Sequence, residues 1–167
     1  MIYQRPSPEE PLDQGDLIAG CPVVAVTNFS VDQVDSAQVQ LDLHRVIVLT
    51  QACDLASQKT DAAIVASVFG AQELVERQLL KAVDVKGPIR ASRVWGLYFL
   101  PADAALGLGE MIVDLRRLHT IRLELLSALC RADKRAARLQ TPYREHLAKH
   151  FADTFSRIGL PQPYETL

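Results

Sequence analysis

The sequence predicts an α+β, mainly β fold: a small, strongly bent antiparallel sheet or barrel with two or three helices packed outside it. Three observations lead there. Two short apolar runs, Val46–Leu49 and Ala62–Phe69, are rich in β-branched residues and too short for a helix core. Two other stretches alternate apolar and polar residues, 38–43 and 111–118, as half-buried strands do. Near the C-terminus, Leu147, Phe151, Thr154, Phe155 and Ile158 recur at helical spacing and form one apolar stripe.

A chain of 167 residues suits one domain with a core of its own. With 49% hydrophobic and 23% charged residues it is expected to fold. The net charge of −2 carries no basic surplus, so bulk charge does not demand a nucleic-acid partner. Cys21, Cys53 and Cys130 are odd in number and far apart, so neither a disulfide framework nor a structural zinc site is signalled. A cytoplasmic location and no membrane partner are expected, because no apolar run approaches spanning length.

Residues 1–14 hold three prolines and read as a flexible lead-in, with a single domain over 15–167. After Gly15-Asp16, Leu17–Gly20 is a strand, broken at Cys21-Pro22 and resumed over Val23–Val26. Pro22 removes a ladder donor, which makes this an edge or bulged strand. Residues 27–37 are turn-like. The alternating stretch 38–43 runs into Val46–Leu49, as one long bent strand or as two joined by a bulge at His44. A polar loop is expected from Asp54 to Asp61, then the strand Ala62–Phe69. Gln72–Val83 has helical spacing, and Gly87-Pro88 is expected to stop it. Val94–Leu100 is an aromatic strand, with Trp95, Tyr98 and Phe99 expected in the sheet core, although Tyr98 could stack a base if exposed. Residues 102–110 form a loop, and Met111–Leu118 is a strand. Leu123–Leu129 is helix-like, and Arg135–Leu139 is a last short strand. Thr141 caps the final helix, Pro142 takes its first position, and Gly159 and Pro161 end it.

The order Gly15-Asp16, Arg45-Val-Ile-Val-Leu, Ala63-Ile-Val-Ala-Ser-Val, Leu118-His-Thr and a C-terminal helix resembles the MazF/PemK-type toxin family, over roughly 15–69 and 111–160. The resemblance implies an SH3-like barrel, here a divergent member with an insert at about 70–110. It also implies metal-independent endoribonucleolytic cleavage of single-stranded RNA in a bacterial toxin, stress or defence role, by a homodimer and with no cofactor. An antitoxin or regulator would be a protein partner. Arg45 falls on the family's arginine, where a cation would stabilise developing phosphate charge. The family's catalytic Thr or Ser falls near Phe69, with Ser67 two residues earlier. Leu118-His119-Thr120 stands at its Ile-Arg-Thr. Phe69 cannot donate a hydrogen bond, so the alternative is an interaction module that keeps the barrel without the chemistry.

On this reading Arg45, Ser67 and His119 are the catalytic candidates, with Ser67 positioning a phosphate oxygen and His119 as acid or base. Gln51, Asp54, Arg116 and Arg117 are the binding candidates, Arg117 sharing a strand face with His119. Cys53 is a candidate reactive thiol if a cation such as His44, Arg45, Lys59 or His119 stands near. Its plainer reading is a small packed residue, and that of Asp54 is an Asx turn. Arg131, Lys134, Arg135 and Arg138 read as a solvated basic face unless they converge with Arg116 and Arg117. His146 and His150 have a spacing that can hold a metal, but no metal is predicted there.

Overall fold

The computed structural model describes residues 1–57 and 59–156. Seven strands form one antiparallel sheet: β1 (Tyr3–Gln4), β2 (Asp16–Thr27), β3 (Gln38–Val48), β4 (Ala62–Gly70), β5 (Leu97–Leu100), β6 (Met111–Arg122) and β7 (Arg135–Leu139). Their order is β1-β7-β2-β3-β4-β6-β5. The helices are α1 (Ala52–Ala56), α2 (Ala71–Glu76), α3 (Ala82–Asp84), α4 (Leu123–Arg131) and α5 (Tyr143–Phe155). No helix among the described residues is long and apolar enough to cross a membrane.

The two apolar runs lie side by side at the centre, as their composition predicts. Val46, Ile47 and Val48 on β3 pair with Ser67, Ala66 and Val65 on β4, and both faces of this pair are buried. Successive side chains point to opposite faces, so the sheet has two separate cores. One face carries Leu17, Ile47, Ala66, Val68, Val113 and Leu115, closed over by Leu147 of α5. The other carries two clusters. Ile18, Val46, Val48 and Val65 pack with Leu126 and Cys130 of α4. Further along, Ile112 and Leu97 pack with Ala71 and Leu74 of α2 and with Val85 and Ile89.

The sheet is bent but not closed, so of the two forms the sequence allowed, the open one is found. Its ends meet without a ladder: the buried Tyr3 hydroxyl donates to the Pro101 carbonyl at 2.8 Å. Tyr3→Phe deletes that donor and is expected to lower stability by about 1–2 kcal/mol in urea denaturation. An unchanged midpoint would show that the contact does not hold the sheet's ends.

Several expectations are corrected. The lead-in is tied down: Tyr3 and Gln4 pair with Leu139 and Arg138, because Tyr3 has an apolar slot to fill. β2 is one strand and not two, with the expected bulge where its register shifts between Ile18 and Cys21; of the two forms expected for β3, the single long strand is found. Residues 31–36 make a 3₁₀ turn within the stretch read as turn-like. The polar loop after Asp54 begins inside α1. The helix predicted for 72–83 ends after Glu76, where Gln78 adopts φ 57°. Gly87-Pro88 does not stop the chain; Val85–Ile89 is a π-turn, whose opening residues need no amide hydrogen, so Pro88 fits. β5 starts at Leu97, and Trp95 is half exposed. β6 runs four residues further, to Arg122. Pro142, not Thr141, is the N-cap of α5, and Thr141 Oγ1 donates to Glu145 instead. Ile158, Gly159 and Pro161 lie outside the described residues.

Candidate functional site

On the two-cluster face, polar side chains interrupt the apolar surface between α4 and α2. Register places them together. Val65 pairs with His119 and Ser67 with Asp114, while His44 lies two residues from Val46 and so shares its face. The result is a seam across β3, β4 and β6, made of His44, Ser67, His119 and Asp114. A register shift between Ala66 and Ser67 creates it: β6 spends three extra residues, Leu115–Arg117, opposite that step. Bulges of this kind re-aim side chains and recur beside functional sites.

Ser67 is fully buried, and its hydroxyl sits between two imidazoles. Oγ is 2.9 Å from His119 Nε2 and 3.3 Å from His44 Nδ1. The ring centroids are 5.8 Å apart. Both histidines are partly exposed, so each ring keeps one nitrogen towards Ser67 and one available to the outside. Burial, then the neighbouring His44 and Arg117, hold His119 below the ordinary imidazole pKa. His119 is therefore neutral at neutral pH and free to take a proton.

Cations flank the seam. Arg116 forks onto Asp114 through Nε at 2.8 Å and Nη2 at 3.0 Å, and Arg117 Nε lies 3.6 Å from the same carboxylate. The guanidinium of Arg117 also stands over the Phe69 ring, 5.4 Å from its centroid. Arg116 crosses Gly96 so closely that a Cβ there would meet its Cγ at 2.7 Å, and Gly96 sits at φ 76°. Glycine is thus required at that point for two reasons. Beyond the arginines a hollow of about 220 Å³ is lined by Phe69, Leu74, Leu80, Ile112 and Arg77.

Of the residues singled out in the sequence, Ser67, His119, Arg116 and Arg117 come together. Arg45 does not join them. It pairs with Val68 on the opposite face, and its Nη1 points to Met111 Sδ at 3.4 Å. Ser67 is too deeply buried to touch a phosphate, so its place is behind the imidazoles. Gln51, Cys53 and Asp54 lie past the other end of β3, where Gln51 is the N-cap of α1. From His44 to Val48 alone is roughly 13 Å of strand. Cys53 is exposed, which removes its packed reading. Its sulfur faces the Gln51 amide oxygen at 3.7 Å and an Asp54 oxygen at 3.9 Å. The other two thiols are buried, and burial pushes Cys21 up to about 11. His150 is engaged with the Val94 carbonyl at 3.2 Å. Arg135 and Arg138 are buried ion-pair partners of Asp16, not a solvated basic face.

Two members of the site were not singled out: His44 as a partner of Ser67, and Asp114 as the anchor of both arginines. For His44 the signal was present in its spacing from the buried Val46.

No family model matches the chain, and no curated protein matches its sequence.

Proposed function

We propose that this chain cleaves single-stranded RNA at the His44–Ser67–His119 seam, without a metal, using the substrate's own 2′-hydroxyl as nucleophile. The observation that supports the reading is one hydroxyl shared by two imidazoles. A serine has a single proton. It can donate to one ring and must accept from the other. With His119 Nε2 and His44 Nδ1 facing the hydroxyl, two neutral rings then carry the same tautomer but play opposite roles. One presents a lone pair outward and the other presents an N–H outward, which is a base beside an acid.

His119, held neutral by burial, His44 and Arg117, is assigned the base. Its Nε2–H donates to Ser67, the Ser67 hydroxyl donates to His44 Nδ1, and His44 Nε2–H faces out. His119 Nδ1 takes the 2′-hydroxyl proton as that oxygen attacks phosphorus. Its inner proton passes to Ser67, the Ser67 proton passes to His44, and His44 releases its outer proton to the departing 5′-oxygen. Protons balance, and both rings end protonated on Nδ1 instead of Nε2. Attack of water on the 2′,3′-cyclic phosphate then runs the same relay in reverse. Arg117 supplies positive charge for the phosphate oxygens, the role the resemblance gave to Arg45. Ser67 is buried and is not the nucleophile, and in RNA the substrate carries one of its own.

Incubation with mixed single-stranded RNA in EDTA is expected to yield 2′,3′-cyclic ends, and a 2′-deoxy residue at the scissile position is expected to block cleavage. Intact RNA at equimolar protein would overturn the proposal. The pH profile adds a second check. Rate requires neutral His119, and a lowered pKa keeps that form populated to lower pH. The acidic limb should therefore fall below the ordinary imidazole value of about 6.5.

The second reading, a non-catalytic module with a protein partner such as an antitoxin or regulator, is supported by the exposed apolar residues on β2 and β3.

A further inference from the structure

β2 and β3 continue past the body of the sheet as a two-stranded arm. β7 pairs with β2 only at Asp16–Ile18, and β4 pairs with β3 only from Arg45 onward. Between them, Pro22–Thr27 and Gln38–Leu43 pair with each other alone. An isolated two-stranded ribbon is marginal in water. This one also displays its apolar side. Val24 lies opposite Leu41 and Val26 opposite Val39, with Leu43 next along, so all five side chains project from one face. They are between 58% and 70% exposed.

We infer that two copies of this chain pair through the apolar faces of their arms, antiparallel about a two-fold axis. The inference does not rest on the ribonuclease reading. Three observations support a second copy as the occupant. The first is area: five aliphatic side chains at this exposure offer on the order of 500 Å² per protomer, so an isologous pair buries about 1,000 Å², the lower bound for a specific interface. The second is charge sign. From Gly20 to His44 the chain holds Asp32, Asp35 and Asp42 and no lysine or arginine, which disfavours nucleic acid or an anionic membrane. The third is charge placement. Asp32 and Asp35 stand exposed at the arm's tip, and Arg45, on the apolar face at its root, makes no ion pair among the described residues. The residues from Val39 to Arg45 span roughly 20 Å. Antiparallel packing lays each acidic tip beside the other copy's Arg45, so the ribbon is complementary to itself.

Sedimentation equilibrium at about 50 µM is expected to show a dimer. Leu41→Asp, at an exposed position, should give a monomer whose thermal melt matches that of the wild type diluted below its dissociation constant; if it does not match, Val39→Lys serves as the second variant. Arg45→Glu should weaken self-association about tenfold, and adding Asp32→Lys and Asp35→Lys should restore it. A wild-type monomer at that concentration overturns the inference, as does a dimer indifferent to both Leu41→Asp and Val39→Lys. Failure of the charge exchange to restore pairing overturns the antiparallel arrangement.

Discussion

Asp16→Ala is expected to cost about 3–5 kcal/mol, a large fraction of a domain's 5–15. Asp16 is fully buried. It accepts Arg135 Nη1 at 2.9 Å, Arg138 Nε at 2.6 Å and Arg138 Nη2 at 2.9 Å, together with the Asp13 amide at 3.0 Å. Both guanidiniums are buried with it and also donate to the carbonyls of Ser7, Glu10 and Pro11. One carboxylate thus bridges two cations and pins residues 7–13 across β2 and β7. Removing it leaves two buried positive charges facing one another, and that loss outweighs the about 1 kcal/mol of an ordinary hydrogen bond. Asp16→Asn keeps the shape and one acceptor but not the charge, so it should fall between wild type and alanine. In urea the midpoint should drop with the slope unchanged. A change within about 1 kcal/mol for alanine would mean that the N-terminal carboxylates Glu10 and Asp13, which lie 3.8 and 4.0 Å from Arg138, already carry the pairing.

That network also shows where sequence reasoning stops. Arg131 to Arg138 reads as a solvated charge run because nothing local shows a partner; the partner of Arg135 lies 119 residues away. The central strands were legible because Val46–Leu49 and Ala62–Phe69 are apolar at every step, which only burial on both faces explains. The helix over 72–83 overran because Leu79 and Ala82, counted towards an apolar stripe, face solvent. At the site, residue chemistry could be read but strand parity could not. Arg45 and His44 are neighbours, and a one-residue difference sends them to opposite faces. Only the ladder to β4, with Val46 opposite Ser67, decides which of them meets His119. Asp114 was visible as a polar position on a strand, but its hold on Arg116 depends on the β6 bulge, which leaves no mark in the sequence.

On the proposed ribonuclease reading, His119→Gln is expected to reduce kcat by about 10²–10⁴-fold, the range for loss of a positioned general base. Glutamine keeps a polar side chain near Ser67 but cannot carry a proton away. Ser67→Ala is the sharper test. The serine is fully buried and touches no substrate, so a change there leaves the surface that meets RNA unaltered. Without its hydroxyl neither ring has the partner that fixes its tautomer, and the path from His119 to His44 is cut. The expected result is a fall in kcat of about 10²-fold with KM unchanged, since ground-state binding is not involved. His44→Gln should fall by a similar factor, and Ser67→Ala with His119→Gln should be scarcely worse than His119→Gln alone, because the three groups act as one unit. Multiplicative losses would show independent roles and would remove the relay while leaving His119 as a base. A Ser67→Ala protein with wild-type kcat would remove the tautomer argument itself, and with it the reason for placing acid and base on these two rings.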